Sequence, residues 1–169
     1  MSNKDFVISV RDLINKPGQM REYDLDVTVD EPFTNSVVTV PNGANMELEL
    51  RLESVHEGIL ATGEAFASAT AECSRCLDPL TLAVEVDFQE LFAYSVTDEE
   101  ELAVIDESID LEQVVRDEVV LSLPFQPVCN ESCLGLCAEC GVKLAENPQH
   151  RHEAAVDPRW SALEKLKDN

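Results

Sequence analysis

The chain has 169 residues, with 34 acidic against 12 basic side chains and a formal charge of −22. Its length admits one ordinary domain, or a domain with a small appendage. The charge excludes holding a phosphate backbone by bulk electrostatics, the 5% aromatic content argues against a base-stacking surface, and no stretch has the apolar length of a membrane-spanning helix.

A field this negative keeps a chain soluble and attracts basic proteins. The opening residues Met1-Ser-Asn-Lys-Asp-Phe6 form no apolar signal segment, which predicts a reducing, cytoplasmic setting with few disulfides.

Residues 6–13 alternate poorly and read as a short edge strand, followed by a turn at Asn15-Lys-Pro-Gly18. Tyr23, Leu25, Val27 and Val29 then alternate with Asp24, Asp26, Thr28 and Asp30, the period of a half-buried strand, which Pro32 ends. Residues 37–40 make a short apolar run closed by Pro41-Asn-Gly43. The clearest strand sets Met46, Leu48, Leu50 and Leu52 against Glu47, Glu49, Arg51 and Glu53. After a turn at His56-Glu-Gly58, residues 59–72 return as its partner. Cys73-Ser-Arg-Cys76 falls at the next tip, and Leu80, Leu82, Val84, Val86 and Phe88 alternate onward. Consecutive hairpins predict an α+β fold whose antiparallel sheet is strongly bent or forms an open barrel.

Residues 97–101 contain four consecutive acids and read as a solvated loop. Asp110 has the place of a helix N-cap, with Gln113 three residues on and Ile109 and Val114 as a hydrophobic staple. The stripe Leu111, Val114, Val115, Val119 and Ser122 predicts one long helix over 110–123 packed on the sheet, with Pro124 as its stop. Asp157-Pro-Arg-Trp160 opens a short terminal helix with Trp160, Leu163 and Leu166 on one face, either docked or presented to a partner. The expected division is a β-rich domain over 1–127 and a metal-binding tail over 128–169.

The tail holds Cys129, Cys133, Cys137, Cys140, His150 and His152; with Cys73 and Cys76 they make eight soft or borderline ligands. A two-residue gap lets both sulfurs of a CxxC pair face one ion, and zinc takes four such ligands tetrahedrally, so eight predict two closed zinc sites. Free thiols need no such spacing, and the two imidazoles suit zinc better than an iron–sulfur cluster. One partition groups Cys137, Cys140, His150 and His152 in a local loop and leaves Cys73 and Cys76 to meet Cys129 and Cys133; this is preferred, because short loops cost little entropy. The other joins the two CxxC knuckles and gives Cys129 and Cys133 to the histidines. Neither leaves a position open for water, so metal catalysis is not expected. His56 belongs to neither set and reads as a surface turn residue.

Cys73-Ser-Arg-Cys76-Leu-Asp-Pro, Leu121-Ser-Leu-Pro-Phe-Gln-Pro-Val-Cys129, Cys133-Leu-Gly-Leu-Cys-Ala-Glu-Cys-Gly141 and Asp157-Pro-Arg-Trp-Ser-Ala-Leu-Glu-Lys-Leu follow one another in an order that resembles the bacterial YceD family. Its members are called large ribosomal RNA subunit accumulation proteins. The resemblance runs from about residue 10 to residue 167, and Arg11-Asp-Leu, Pro17-Gly18 and Arg21-Glu22 look most like the actinobacterial branch. It implies a role in large-subunit RNA accumulation and ribosome assembly, and no enzyme activity. It makes a small basic ribosomal protein a candidate partner, since family genes often neighbour one. Many relatives carry Cys-x-Cys where this chain has His150-Arg-His152, which fits metal ligation. Others lack several of the cysteines, which suggests a stabilising metal.

The reading is therefore an acidic assembly factor that holds a basic ribosomal protein or an assembling particle. The alternative is direct RNA binding through Arg75, Lys143, Arg151, Arg159, Lys165 and Lys167, which lie in or near the cysteine segments. An enzyme is not expected: carboxylates are too abundant for any pair to be informative, and no phosphate loop, nucleophile elbow or zincin motif is present.

Overall fold

The alternation in residues 45–54 becomes strand β5 (Asn45–Ser54), with Met46, Leu48, Leu50 and Leu52 buried and Glu47, Glu49 and Arg51 exposed. It is an inner strand of an antiparallel sheet in a computed structural model that describes residues 4–95 and 102–152. The acidic stretch at 97–101 and the terminal helix bearing Trp160 lie outside the described residues.

The other strands are β1 (Val7–Ser9), β2 (Met20–Thr28), β3 (Phe33–Thr34), β4 (Val38–Val40), β6 (Gly58–Glu72), β7 (Pro79–Ala93) and β8 (Ser108–Asp110). The main sheet runs β2-β5-β6-β4-β3, with β7 paired along β6 over its whole length, and it is not a closed barrel. Both β5 and β4 lie against β6, β5 along residues 59–66 and β4 along 70–71. The β5–β6 turn is closed by the Val55 amide on the Gly58 carbonyl. A β-carbon at Gly58 would sit 2.1 Å from the Phe92 carbonyl oxygen, so the neighbouring backbone requires glycine there.

Residues 6–13 form less strand than expected: only β1, which pairs with β8 in a separate two-stranded sheet. A single α-helix among the described residues, α1 (Glu112–Ser122), follows β8 and packs against β7. It starts two residues after the expected cap. Asp110 Oδ1 still accepts the Glu112 amide at 3.0 Å, but Leu111 occupies the cap position and Gln113 bonds Asp117 instead of reaching back. Leu111, Val114, Val115 and Val119 are buried as the stripe predicts; Ser122 is exposed, and Leu123 finishes the face instead. Arg116 lies over the Phe33 ring at 4.4 Å and pairs with Glu112, which seats the helix beside β3.

The register has a consequence for charge. Asp24, Glu49, Glu64 and Asp87 stand directly opposite one another across β2, β5, β6 and β7, and all four are exposed. The next rung holds Asp26, Glu47, Phe66 and Glu85. Like charges facing each other across strands oppose pairing. The buried leucines and valines on the opposite face hold the register against that repulsion.

Candidate metal centres

Beyond α1 the chain offers little apolar matter to bury. Over residues 128–152 only Gly135 is buried, and the core cluster contains none of them. This segment is ordered by hydrogen bonds and by two groups of ligand atoms.

The β6–β7 tip builds the first group. Cys73 follows the last residue of β6 and is wholly buried, and Cys76 is nearly so. The tip closes as the Cys73 amide bonds the Asp78 carbonyl and the Leu77 amide bonds the Cys73 carbonyl; Leu77 takes φ 61° to allow it. The segment after α1 then docks on the tip. The Ser74 amide and hydroxyl both donate to the Pro127 carbonyl at 2.8 Å, and Arg75 Nη1 donates to the carbonyls of Glu131 and Cys133. Cys129 and Cys133 are thereby carried to Cys73 and Cys76, with all four sulfurs within 4.8 Å of one another.

Cys73 Sγ lies 3.9 Å from Cys133 Sγ, and Cys76 Sγ 3.8 Å from Cys129 Sγ. Thiolates about 2.3 Å from a tetrahedral ion stand about 3.8 Å apart. A disulfide needs about 2.05 Å, and all six cysteines are free. The Cys76 amide, with those of Arg75 and Cys129, draws the Cys73 thiol down to about 6. At Cys76 the Asp78 amide acts in the same direction, but burial and the three neighbouring sulfurs outweigh it and push the thiol up to about 12. Cys133 and burial raise Cys129 as well. Cys73 ionises readily while Cys76 and Cys129 resist a further negative charge, a conflict that a bound dication would remove.

The second group is local. The Cys137 amide bonds the Val142 carbonyl and the Gly141 amide bonds the Cys137 carbonyl, with Gly141 at φ 72°, so Cys137 and Cys140 face the same way. The arm through Asn147 returns His150 and His152. His150 Nε2 is 3.1 Å from Cys140 Sγ and 2.8 Å from His152 Nε2, which is itself 3.3 Å from Cys140 Sγ. The four ligand atoms, two thiol sulfurs and two ring nitrogens, lie within 4.8 Å of one another. The far nitrogen of His152, Nδ1, lies 3.3 Å from Glu139 Oε2, the partner a metal-bound imidazole usually has. The amides of Cys140 and Glu139 lower the Cys137 thiol to about 6.

The eight residues thus fall into the two groups of the preferred partition, and either group could hold a metal ion. His56 is an exposed turn residue outside both. The sequence reading missed the supports: Arg75 as a clamp, Glu139 behind His152, and the ion pair of Lys143 with Asp78 that joins the two groups. Arg75 between two cysteines and Glu139 between two more were visible as residues, but their roles depend on which carbonyl or ring comes within reach.

Residues 61–167 match the model of a family described as "Large ribosomal RNA subunit accumulation protein YceD". The chain is 45% identical over 165 residues to the uncharacterized protein Rv2926c of Mycobacterium tuberculosis, covering 92% of this chain and 78% of that one. It is 38% identical to the uncharacterized protein ML1660 of Mycobacterium leprae, over 93% and 75%. It is 33% identical to the uncharacterized protein YlbN of Bacillus subtilis, over 56% and 58%. No solved structure matches the chain. No helix among the described residues is long and apolar enough to cross a membrane.

Proposed function

The chain belongs to the YceD family, the large ribosomal RNA subunit accumulation proteins, and from that premise we propose that it is a non-enzymatic, zinc-binding cytoplasmic factor that supports ribosome assembly by holding a basic ribosomal protein, or the assembling particle through its proteins. The family's description concerns accumulation of large-subunit RNA and names no reaction.

The observation that carries the partner reading is the acidic rung Asp24–Glu49–Glu64–Asp87 on an exposed sheet face. Four carboxylates kept opposite one another cost sheet stability, and a lysine- or arginine-rich partner relieves the repulsion on binding. Zinc fits both ligand groups: four thiolates in one, two thiolates and two imidazoles in the other, with no position left for a reacting water. The ions hold residues 128–152, the described part of a tail proposed as 128–169, to the β-rich domain proposed as 1–127.

Direct RNA binding around the knuckles is the weaker reading. Arg75 is committed to two carbonyls and Lys143 to Asp78, so two of the basic side chains it would use are already engaged. A pull-down with the tagged full chain at moderate salt tests the proposal. It should recover a basic ribosomal protein or large-subunit particles, and Glu49→Lys with Glu64→Lys should abolish recovery. Recovery of naked RNA, insensitive to those changes, would favour the alternative; recovery of no ribosomal component would overturn both.

A further inference from the structure

The two ligand groups are built differently, and the geometry points to an unequal pair: the four-cysteine site retains its zinc, while the Cys137–Cys140–His150–His152 site is exchangeable and uses Glu139 as a positioning residue. This rests on the proposal that both groups bind zinc.

Burial comes first. Cys73 is 0% exposed and Cys76 8%, so the inner wall of the first site is part of the domain, while Cys129 on its outer wall is exposed and Cys133 half-buried. In the second site Cys140 and His152 are exposed, and Cys137 and His150 are only half-buried. Water and chelators reach the second site directly.

Support independent of the ion comes next. The halves of the first site are already joined by the two Ser74 bonds to the Pro127 carbonyl and by the Arg75 clamp on the carbonyls of Glu131 and Cys133. Losing an ion leaves that scaffold standing, so the site remains organised for rebinding. In the second site the pair of Glu139 with His152 is the one hydrogen bond or ion pair, among the described residues, that joins the histidines to the cysteine turn apart from contacts between the ligands themselves. An ion leaving it leaves the arm held only by that pair and by two backbone bonds, the Asn147 amide on the Lys143 carbonyl and the His150 amide on the Asn147 carbonyl. Donor charge adds to the contrast: four thiolates hold a dication more strongly than two thiolates with two neutral rings, once deprotonated.

Glu139 orients His152 so that Nε2 faces the ion. It touches no ion itself, and its loss should weaken only the second site. The pair of Lys143 with Asp78 anchors the second loop to the rim of the first, so release of the outer ion leaves residues 134–144 attached while the 147–152 arm opens.

The test uses the full chain loaded with zinc, challenged with a graded zinc chelator, and followed by metal content and amide hydrogen exchange. One equivalent should leave at chelator activities at least about tenfold below those needed for the other, and exchange should rise in 147–152 while 73–78 stays protected. His150→Ala with His152→Ala should leave one equivalent, the resistant one. Glu139→Gln should weaken the labile site about tenfold without changing the stoichiometry at saturating zinc. Loss of both ions in one step, or retention of only the labile ion in the histidine variant, would overturn the inference while leaving two-zinc binding intact. A chain that takes up no zinc would overturn that binding proposal as well.

Discussion

Cys73 carries the largest consequences of any single side chain. It is buried, supplies one of four convergent sulfurs, and takes hydrogen bonds from backbone amides on both segments that form the site. Cys73→Ser should remove one zinc equivalent and cost more than about 4 kcal/mol, since the loss of a metal ligand belongs with the severe class of substitutions. Denaturant unfolding beside metal analysis checks this; an unchanged midpoint would show that the ion does not stabilise the fold. The metal-free protein should also depend on pH. Cys73 and Cys137 are lowered to about 6 from an ordinary 9.0. A depressed value means that their contribution is complete above pH 9, shrinks as pH falls, and is gone below about 6. The opposite shift of Cys76, to about 12, changes stability only above pH 9. The stripped protein should therefore lose stability between pH 9 and 6, and a flat melting temperature there would contradict the hydrogen bonding assigned to these sulfurs.

Among the elements, the β6–β7 hairpin positions the most. Its fifteen paired positions run from Gly58 beside Ala93 to Glu72 beside Pro79, with the cysteine turn beyond. Gly58→Ala should cost about 1–3 kcal/mol by forcing a β-carbon against the Phe92 carbonyl. Equilibrium unfolding measures it, and a neutral result would mean the strand ends move freely. The sequence showed this hairpin because alternating Val84, Val86 and Phe88 face a small-residue strand, and the CxxC at its tip needs a turn. It showed β5 for the same reason. It did not show β3, because two residues carry no period. It placed the helix start at Asp110, which still bonds the first turn, because a side chain one residue before the cap can serve the same amide. Ser122 looked like part of the buried stripe because its spacing is right; the chain turns extended at Leu123, whose larger apolar side chain takes the place. Residue types and spacing made the ligand set legible. The supports of Arg75 and Glu139 were not, because they reach partners that only the folded loops bring near.

At the scale of the whole molecule, charge and stability oppose each other. Glu64 faces Glu49 on one side and Asp87 on the other. Glu64→Gln should raise stability by about 0.2–1 kcal/mol by relieving that repulsion, while lowering capture of a basic partner. Thermal unfolding beside the pull-down separates the two effects, and a fall in stability would show that the rung is not strained. The four-sulfur cluster also has a meaning in time. Cys73 and Cys133 meet across 60 positions of chain, so the last sulfur arrives only after the hairpin, β8 and α1 have been made. During synthesis the first pair is exposed long before its partners emerge, and no full grip on an ion is available to the nascent chain. The full set of four sulfurs is therefore assembled only once residue 133 has been made, and a chain cut short before residue 129 lacks half of them.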